Sequence, residues 1–487
     1  MKQIKEYFII ILVLVAPIIL ANIYYIDDIG RSTLGYRFWW EDGRPLSDLL
    51  MSVIMFSGTM ADIAPVPLLA ACIMLSWAFY RFGKEFFNNK KGLFLIPLSF
   101  LINPFFVEIF SYRFDSLTII FSAVLSFAFL FNFSRNNYTN ALINTALVVG
   151  VMCLYQASVN IVLIFISLSF FFDVYKLKKP FEIIKMSALR VASTLAGLAF
   201  YMKIILPLTL MSEHSDNHPR VSDNLITTVI DNLNAYYSYV QEVILPYGMG
   251  SYILPTLIII SLISALIVSY RYLKVNKGKF AWLIFAASFV IIFITPVAAI
   301  GSLLVLDNPM VRFARIYIGF GAYVLFVLFL ATLACKESKV PSLFVLPLYL
   351  YMIVFTCAYA NASKHQASVD KQVIDSIKGD TKEIDYNTNY IIFNGAPPRS
   401  SILLNSQRNF PLLDTLVVSY FGNWMWAYNY MSMNGLKQRD PGFNSEIVNT
   451  SIRDFCNYKQ ISRAQDYNLY HEGINLVVDF SKKDCMK

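Results

Sequence analysis

Apolar and polar positions fall into alternating blocks along most of the chain. Long apolar runs recur from the N-terminus to about residue 360, separated by short polar loops. Crossing about 30 Å of hydrocarbon takes roughly 20 apolar residues in a helix. On that measure the runs predict about eleven membrane spans, at 7–25, 64–80, 92–109, 116–133, 140–156, 159–173, 188–210, 253–270, 280–301, 316–334 and 340–360. The first run, Tyr7 to Tyr25, is too long for the apolar core of a signal peptide and no small-residue cleavage site follows, so it reads as a retained helix.

Three external segments are long. The first, about 26–63, contains an apolar stretch, Leu46 to Phe56, too short to span, which suits a helix lying on the membrane surface. The second covers about 211–252. The third is the polar tail, 361–487, where Tyr390–Phe393 and Asn475–Phe480 read as strands. The expected organisation is an all-α polytopic membrane domain over 1–360, followed by a small C-terminal α/β domain over 361–487.

Composition agrees with this pattern. Only 15% of residues are charged, against about 25% in soluble domains. The net charge of +8 could suggest nucleic acid, but no basic patch with interleaved aromatics is present, and no nucleic-acid partner is expected. The cations gather in every second loop, such as Lys84, Lys90 and Lys91 after the second span and Lys274, Lys277 and Lys279 after the eighth. The positive-inside rule places these loops and the N-terminus in the cytoplasm. Eleven spans then place the C-terminus outside, in the periplasm if the membrane is a bacterial inner membrane. Cys456 and Cys485 lie in that external tail, where an oxidising compartment permits a disulfide, and their pairing stays an open expectation.

The middles of the spans carry almost no ionisable groups, which argues against a transporter with a midplane site. Charge collects at the outer ends. The densest cluster follows the first span and reads YYIDDIGRS, then YRFWWEDGRPL. It supplies Asp27, Asp28, Arg31, Arg37, Glu41, Asp42 and Arg44, with Trp39 and Trp40 among them. Adjacent residues project about 100° apart on a helix, so one of Asp27 and Asp28 at most faces a common cavity. Further external cations are Arg113 (with Glu108 and Asp115 nearby), Lys203, and Arg312 with Arg315, which share a face if helical. Each feature also has a plainer reading: a charged surface loop, a snorkelling lysine, lipid headgroup contact, or an interfacial aromatic belt. The four histidines are scattered. His214 and His218 are four apart, but no carboxylate completes a metal motif, and no metal site is expected.

Carboxylates and cations in an outer cavity suit glycosyl transfer from a lipid-phosphate sugar. A carboxylate takes the proton of the acceptor hydroxyl. The cations stabilise the departing phosphate. Direct attack would invert the anomeric centre, and the donor's lipid tail explains why such an enzyme sits in a membrane.

A first membrane helix followed at once by an acidic pair resembles the GT-C glycosyltransferases. YYIDDIGRS together with FWWEDGRPL more closely resembles the phage-encoded Gtr O-antigen glucosyltransferases of serotype conversion, along the whole chain. The resemblance implies a donor, undecaprenyl-phosphate glucose, supplied by a partner synthase and flippase. It implies an acceptor, the lipid-linked O-antigen repeat on the periplasmic side. By position Asp27 matches the first acid of the pair and is the expected base, with Asp28 the second and Glu41 a further candidate. Arg37, Trp39, Trp40 and Asp42 are expected at the acceptor. Arg113, Lys203, Arg312 and Arg315 are expected at the donor phosphate on chemical grounds alone. Asp115 and Asp307 are the only loose counterparts of the acids that bind metal in other branches of the fold, so no metal cofactor is expected. Two other readings stay open: a transporter or flippase of a lipid-linked saccharide, and an O-antigen polymerase or ligase.

Overall fold

The computed structural model describes residues 2–209, 220–243, 250–382, 384, 389–439, 445–482 and 485. The chain forms two compact units. One comprises residues 1–16, 37–58 and 63–356, the other residues 17–36, 59–62 and 357–487. The sequence-based boundary at 360 lies near the last break, at 356/357, but omits 17–36 and 59–62. Tyr24 and Ile29 of 17–36 pack in the core of the tail, and 59–62 is tied to that segment by the Met60 N–H donating to the Gly35 carbonyl at 3.0 Å and the Tyr24 hydroxyl donating to Asp62 Oδ2 at 2.9 Å.

The helices up to the tail are α1 (Lys2–Ala21), α2 (Asp27–Leu34), α3 (Pro45–Met55), α4 (Val66–Phe87), α5 (Phe106–Ser111), α6 (Asp115–Ala128), α7 (Asn137–Leu154), α8 (Val159–Tyr175), α9 (Pro180–Phe200), α10 (Leu206–Thr209), α11 (Leu225–Val243), α12 (Gly250–Val275), α13 (Lys279–Ala298), α14 (Ile318–Ala334) and α15 (Val340–Asp380). Among the described residues, nine helical stretches are long and apolar enough to cross a membrane. The chain is a helical membrane protein, and these nine correspond to nine of the eleven expected spans.

The other two, 92–109 and 116–133, take a different form. Pro97 and Pro104 lack an N–H and disfavour helix in the residue before them. The backbone there runs through short 3-10 turns at Lys91–Leu93 and Ile96–Leu101 and then the two-turn α5. Asn103 supports the break: its Oδ1 accepts from the Phe105 N–H at 3.1 Å and its Nδ2 donates to the Tyr317 carbonyl at 3.0 Å. α6 has 14 residues, about 21 Å, too short to span alone. Irregular backbone is tolerated at membrane depth only inside protein, and residues 96–120 are buried throughout except for a half-buried Pro104.

α14 is the centre of the first unit. It is apolar on all sides, and 94% of its most apolar window is buried, against 28% for α13. A helix hydrophobic all round belongs in a core; α8 and α12 pack on it. The short apolar helix expected at Leu46–Phe56 is present as α3: Ser47 and Met51 are buried, while Leu49, Val53 and Phe56 are exposed.

The second unit adds β1 (Tyr390–Asn394), α16 (Ser401–Asn409), α17 (Leu413–Leu416), α18 (Met425–Met433), α19 (Glu446–Asp454), β2 (Lys459–Arg463), β3 (Asn468–Glu472) and β4 (Asn475–Asp479). The strands form one sheet in the order β1-β4-β3-β2, with β1 parallel to β4 and the other pairs antiparallel. Alternate residues serve opposite faces. Ile391, Phe393, Leu476 and Val478 pack with Ile374 and Ile377 of α15, Met431 of α18 and Ile29 of α2. Ile392, Tyr470 and Val477 pack with Val448 of α19 and Phe455. Beside this second layer Cys456 and Cys485 are joined by a disulfide.

Asp370 lies on the polar half of α15, 2% exposed, with Gln366 Nε2 donating to its Oδ1 at 2.8 Å. Burial pushes its carboxyl up to about 6, against the pull of the Gln366 hydrogen bond and of Arg399. The stability linked to this group is therefore full below the ordinary carboxyl range and is lost as pH rises through about 6. Asp370→Asn is expected to raise the unfolding stability of this unit at pH 7.5 by roughly 2–3 kcal/mol and to change it little at pH 3.5, measured by thermal melts at both values. The disulfide spans 29 positions. Opening a loop of that length is expected to cost about 3–4 kcal/mol, so Cys456→Ala should lower the melting temperature of the unit. Two free thiols in a non-reducing peptide mass spectrum of the wild type would contradict the bond.

Candidate functional site

The acidic pair begins α2, within the second unit. After α1 the chain turns through Asn22, and Ile26 adopts φ 43°, a costly conformation for a β-branched residue. Its N–H donates to the Tyr420 hydroxyl at 3.0 Å, which helps hold that turn. Asp27 and Asp28 then occupy the first turn of α2, where the helix dipole favours negative charge. Trp426 Nε1 of α18 donates to Asp27 Oδ1 at 2.8 Å. Asp28 is fully buried and Asp27 half-buried, so the two adjacent acids have different surroundings, as their divergent directions require. Gly30 permits the close approach of α2 and α18: a Cβ there would lie 2.7 Å from Asn429 Nδ2. Arg31, 3% exposed, lies one turn after the pair.

A second polar cluster lies in the first unit, around Asp115 at the start of α6. Trp39, fully buried, donates from Nε1 to Asp115 Oδ1 at 2.7 Å. Arg44 Nη1 stands 3.8 Å from the same oxygen, and the guanidinium lies over the Tyr155 ring at 5.0 Å. Arg44 Nε donates to Gln156 Oε1 at 3.1 Å. Gln156 Nε2 donates to the Asp42 carbonyl at 2.8 Å and to the Tyr201 hydroxyl at 3.0 Å, and that hydroxyl donates to the Gly43 carbonyl at 2.8 Å. Gly43 is required twice over: φ is 75°, and a Cβ would meet Tyr201 Oη at 2.7 Å.

Beside this, Glu108 of α5, 2% exposed, accepts from the Arg315 N–H through Oε2 at 2.7 Å. Its Oε1 stands 3.9 Å from Arg315 Nη1. The Arg315 guanidinium lies over Tyr112 at 5.0 Å. Arg113, 8% exposed, follows Tyr112 in the chain. Buried charges persist only when paired and hydrogen-bonded, and ionisable groups buried in a membrane protein mark functional regions.

The expected site residues are thus distributed unevenly. Trp39 has no exposed face on which a sugar could stack; it holds Asp115. Trp40 is half exposed. Asp42 contributes its carbonyl to the Gln156 network, and Glu41 lies half-buried in the same turn. Arg37 hydrogen-bonds Ser52 Oγ and stands 3.4 Å from Asp48, which ties the loop to α3. Lys203 is exposed, in a π-helical turn at Tyr201–Ile205. Arg312 and Arg315 do not share a face, because the segment between them is extended at Phe313. Arg312 is 69% exposed and pairs with Glu242 at 3.6 Å, whereas Arg315 is 16% exposed. Asp307 accepts from the N–H groups of Arg220 and Asn308. His214 and His218 lie outside the described residues. Among the described residues no three His, Cys, Asp or Glu side chains gather as a metal site would require.

Sequence reasoning placed Arg44 in the charged cluster after the first span without a partner, and missed Gln156, which holds Arg44, and Trp426, which holds Asp27. Gln156 carried a signal, a polar residue between two apolar runs. Trp426 carried none, lying 399 positions from Asp27.

A multi-pass helical membrane protein with buried acid–arginine pairs and an acidic pair after its first helix has the build of a membrane glycosyltransferase. The chain belongs to the GtrII glucosyl transferase family, whose sequence model matches residues 16–328. That stretch includes the acidic pair and the whole Asp115 cluster. The chain is also similar to a Salmonella phage P22 protein described as an uncharacterized 55.3 kDa protein in the gtrB 5' region, 25% identical over 450 residues, which cover 88% of this chain and 90% of that protein. No solved structure matches the chain.

Trp39→Phe keeps the ring but removes the N–H from a buried carboxylate. It is expected to destabilise the first unit by about 1.5–3 kcal/mol and to reduce activity, read by thermal melt and transfer assay. Gly43→Ala, which meets both a backbone and a contact conflict, is expected to do at least as much damage. Wild-type behaviour of both variants would show that the cluster is not needed.

Proposed function

We propose that this enzyme transfers glucose from undecaprenyl-phosphate glucose to a hydroxyl of a lipid-linked O-antigen repeat, on the periplasmic face of a bacterial inner membrane, with inversion and without a metal ion. The carrying observation is the acidic pair, fixed at the start of α2 by Trp426 and Tyr420 in a chain of a glucosyl transferase family. One carboxylate of the pair takes the proton from the acceptor hydroxyl as its oxygen attacks C1 of glucose. The C1–O bond to phosphate breaks, and undecaprenyl phosphate leaves with the electron pair. Asp27, half-buried, is the preferred base; Asp28 and Glu41 remain alternatives. The leaving phosphate gains charge and needs cations. Arg113 and Arg315 have the required charge in a largely buried setting, while the exposed Lys203 and Arg312 suit headgroup contact. The basic loops support a cytoplasmic N-terminus and a periplasmic tail. The likeness to a phage protein supports a role in serotype conversion, with a glucosyl-lipid synthase and a flippase supplying the donor.

The test is reconstitution in lipid with undecaprenyl-phosphate glucose and lipid-linked O-antigen, a chelator present, and mass spectrometry of the product. One added hexose per repeat is expected. An intact donor, with acceptor bound, would overturn the reading in favour of transport. Replacing Asp27, Asp28 and Glu41 singly with Asn or Gln is expected to lower transfer by about 100- to 10,000-fold in at least one case. Full activity of all three folded variants would remove the carboxylate base.

A further inference from the structure

The second unit contains a cavity of about 440 Å³, within the range of small-molecule sites. Its walls come from the end of α1 and the residues after it, the polar half of α15, and the segments at 416–420 and 430–434. Five tyrosines line it: Tyr24, Tyr25, Tyr359, Tyr420 and Tyr430. Tyr420 and Tyr430 stack with ring centroids 4.5 Å apart. Among these rings lie neutral and acidic hydrogen-bonding groups. Ser363 is only 6% exposed and its Oγ has no hydrogen-bond partner. Gln366 and Asp370 are 3% and 2% exposed and bonded to each other.

We propose that this cavity binds a saccharide, a sugar unit of the acceptor. Its assignment to the acceptor rests on the glucosyl-transfer reading. Sugars present apolar C–H faces and a rim of hydroxyls that donate and accept together. Tyrosine rings with polar ends fit the first, and a hydroxyl, an amide and a carboxyl fit the second. A phosphate headgroup fits less well, because Asp370 is buried in the wall while the cations at the cavity, Lys364 and Lys371, are exposed. The place suits an acceptor. Tyr25 lies two residues before Asp27, which limits their Cα atoms to about 7.6 Å. Tyr420, another wall residue, hydrogen-bonds the peptide N–H that immediately precedes Asp27. A sugar seated here would bring its hydroxyls towards the group that must take a proton.

The experiment is calorimetric titration of the full chain in lipid nanodiscs with a delipidated O-antigen repeat oligosaccharide, and separately with inorganic phosphate. Ala367→Phe and Ser363→Leu fill the cavity from one wall without touching the acids of α2. The expected result is saturable sugar binding that weakens at least tenfold in both folded variants and changes less than twofold in Lys364→Gln and Lys371→Gln. Three results would each overturn the proposal: no sugar binding by the wild type, binding unchanged by the filling variants, or competition by phosphate together with dependence on the two lysines. Because the readout is binding rather than transfer, failure here leaves the glucosyl-transfer reading standing, and failure of transfer leaves this measurement intact.

Discussion

Ile29 lies in the apolar core of the second unit with Ile374, Phe393 and Leu476, and the placement of the acidic pair follows from that burial. Two residues earlier, Asp27 takes a hydrogen bond from Trp426, and the Ile26 N–H is held by Tyr420. The left-handed turn at Ile26 costs about 1–3 kcal/mol. Burying one isoleucine returns about 1.5–3 kcal/mol, and the charge-assisted bond to Asp27 adds a similar amount. The strained turn is therefore stable only with the tail folded around it. Residues 17–36, the end of the first membrane helix and the fifteen residues after it, thus belong structurally to a sheet-containing unit encoded more than three hundred residues later.

The first unit meets a different constraint. Several of its charged residues are buried, and a buried charge without a partner costs several kcal/mol. Asp115 answers with Trp39 and Arg44, and Glu108 with the backbone and guanidinium of Arg315. Glu108 lies in the short α5 that follows the proline and 3-10 interruptions, and Asp115 is the first residue of α6. The breaks free the backbone from helical geometry, and full burial supplies the partners that lipid could not.

A glucosyl transferase needs a fixed base and a charged environment for a leaving phosphate. The acidic pair and the buried arginines have those chemistries, and both lie within the stretch that defines the family. The tyrosine-lined cavity of the second unit adds a place for a neutral, hydroxyl-rich ligand next to the peptide that carries the pair.

Hydropathy and length alone determined that this is a membrane protein, where nine of its long helices lie, that α3 is a helix too short to span, and that β1 and β4 are strands. Each of these depends on neighbours a few residues apart, which is the range over which helix and strand periodicity acts. The acidic pair was legible for the same reason, as two charges where an apolar run stops. Tertiary structure alone decided that Trp39 clamps an acid instead of offering a stacking face, that Arg312 and Arg315 part company, that one apolar run folds as a broken buried segment and another as a helix too short to span, and that Trp426 reaches Asp27. In each case the deciding partner lies far along the chain. Apolar pattern records how much of a residue is withdrawn from water; it does not record which other residue meets it there.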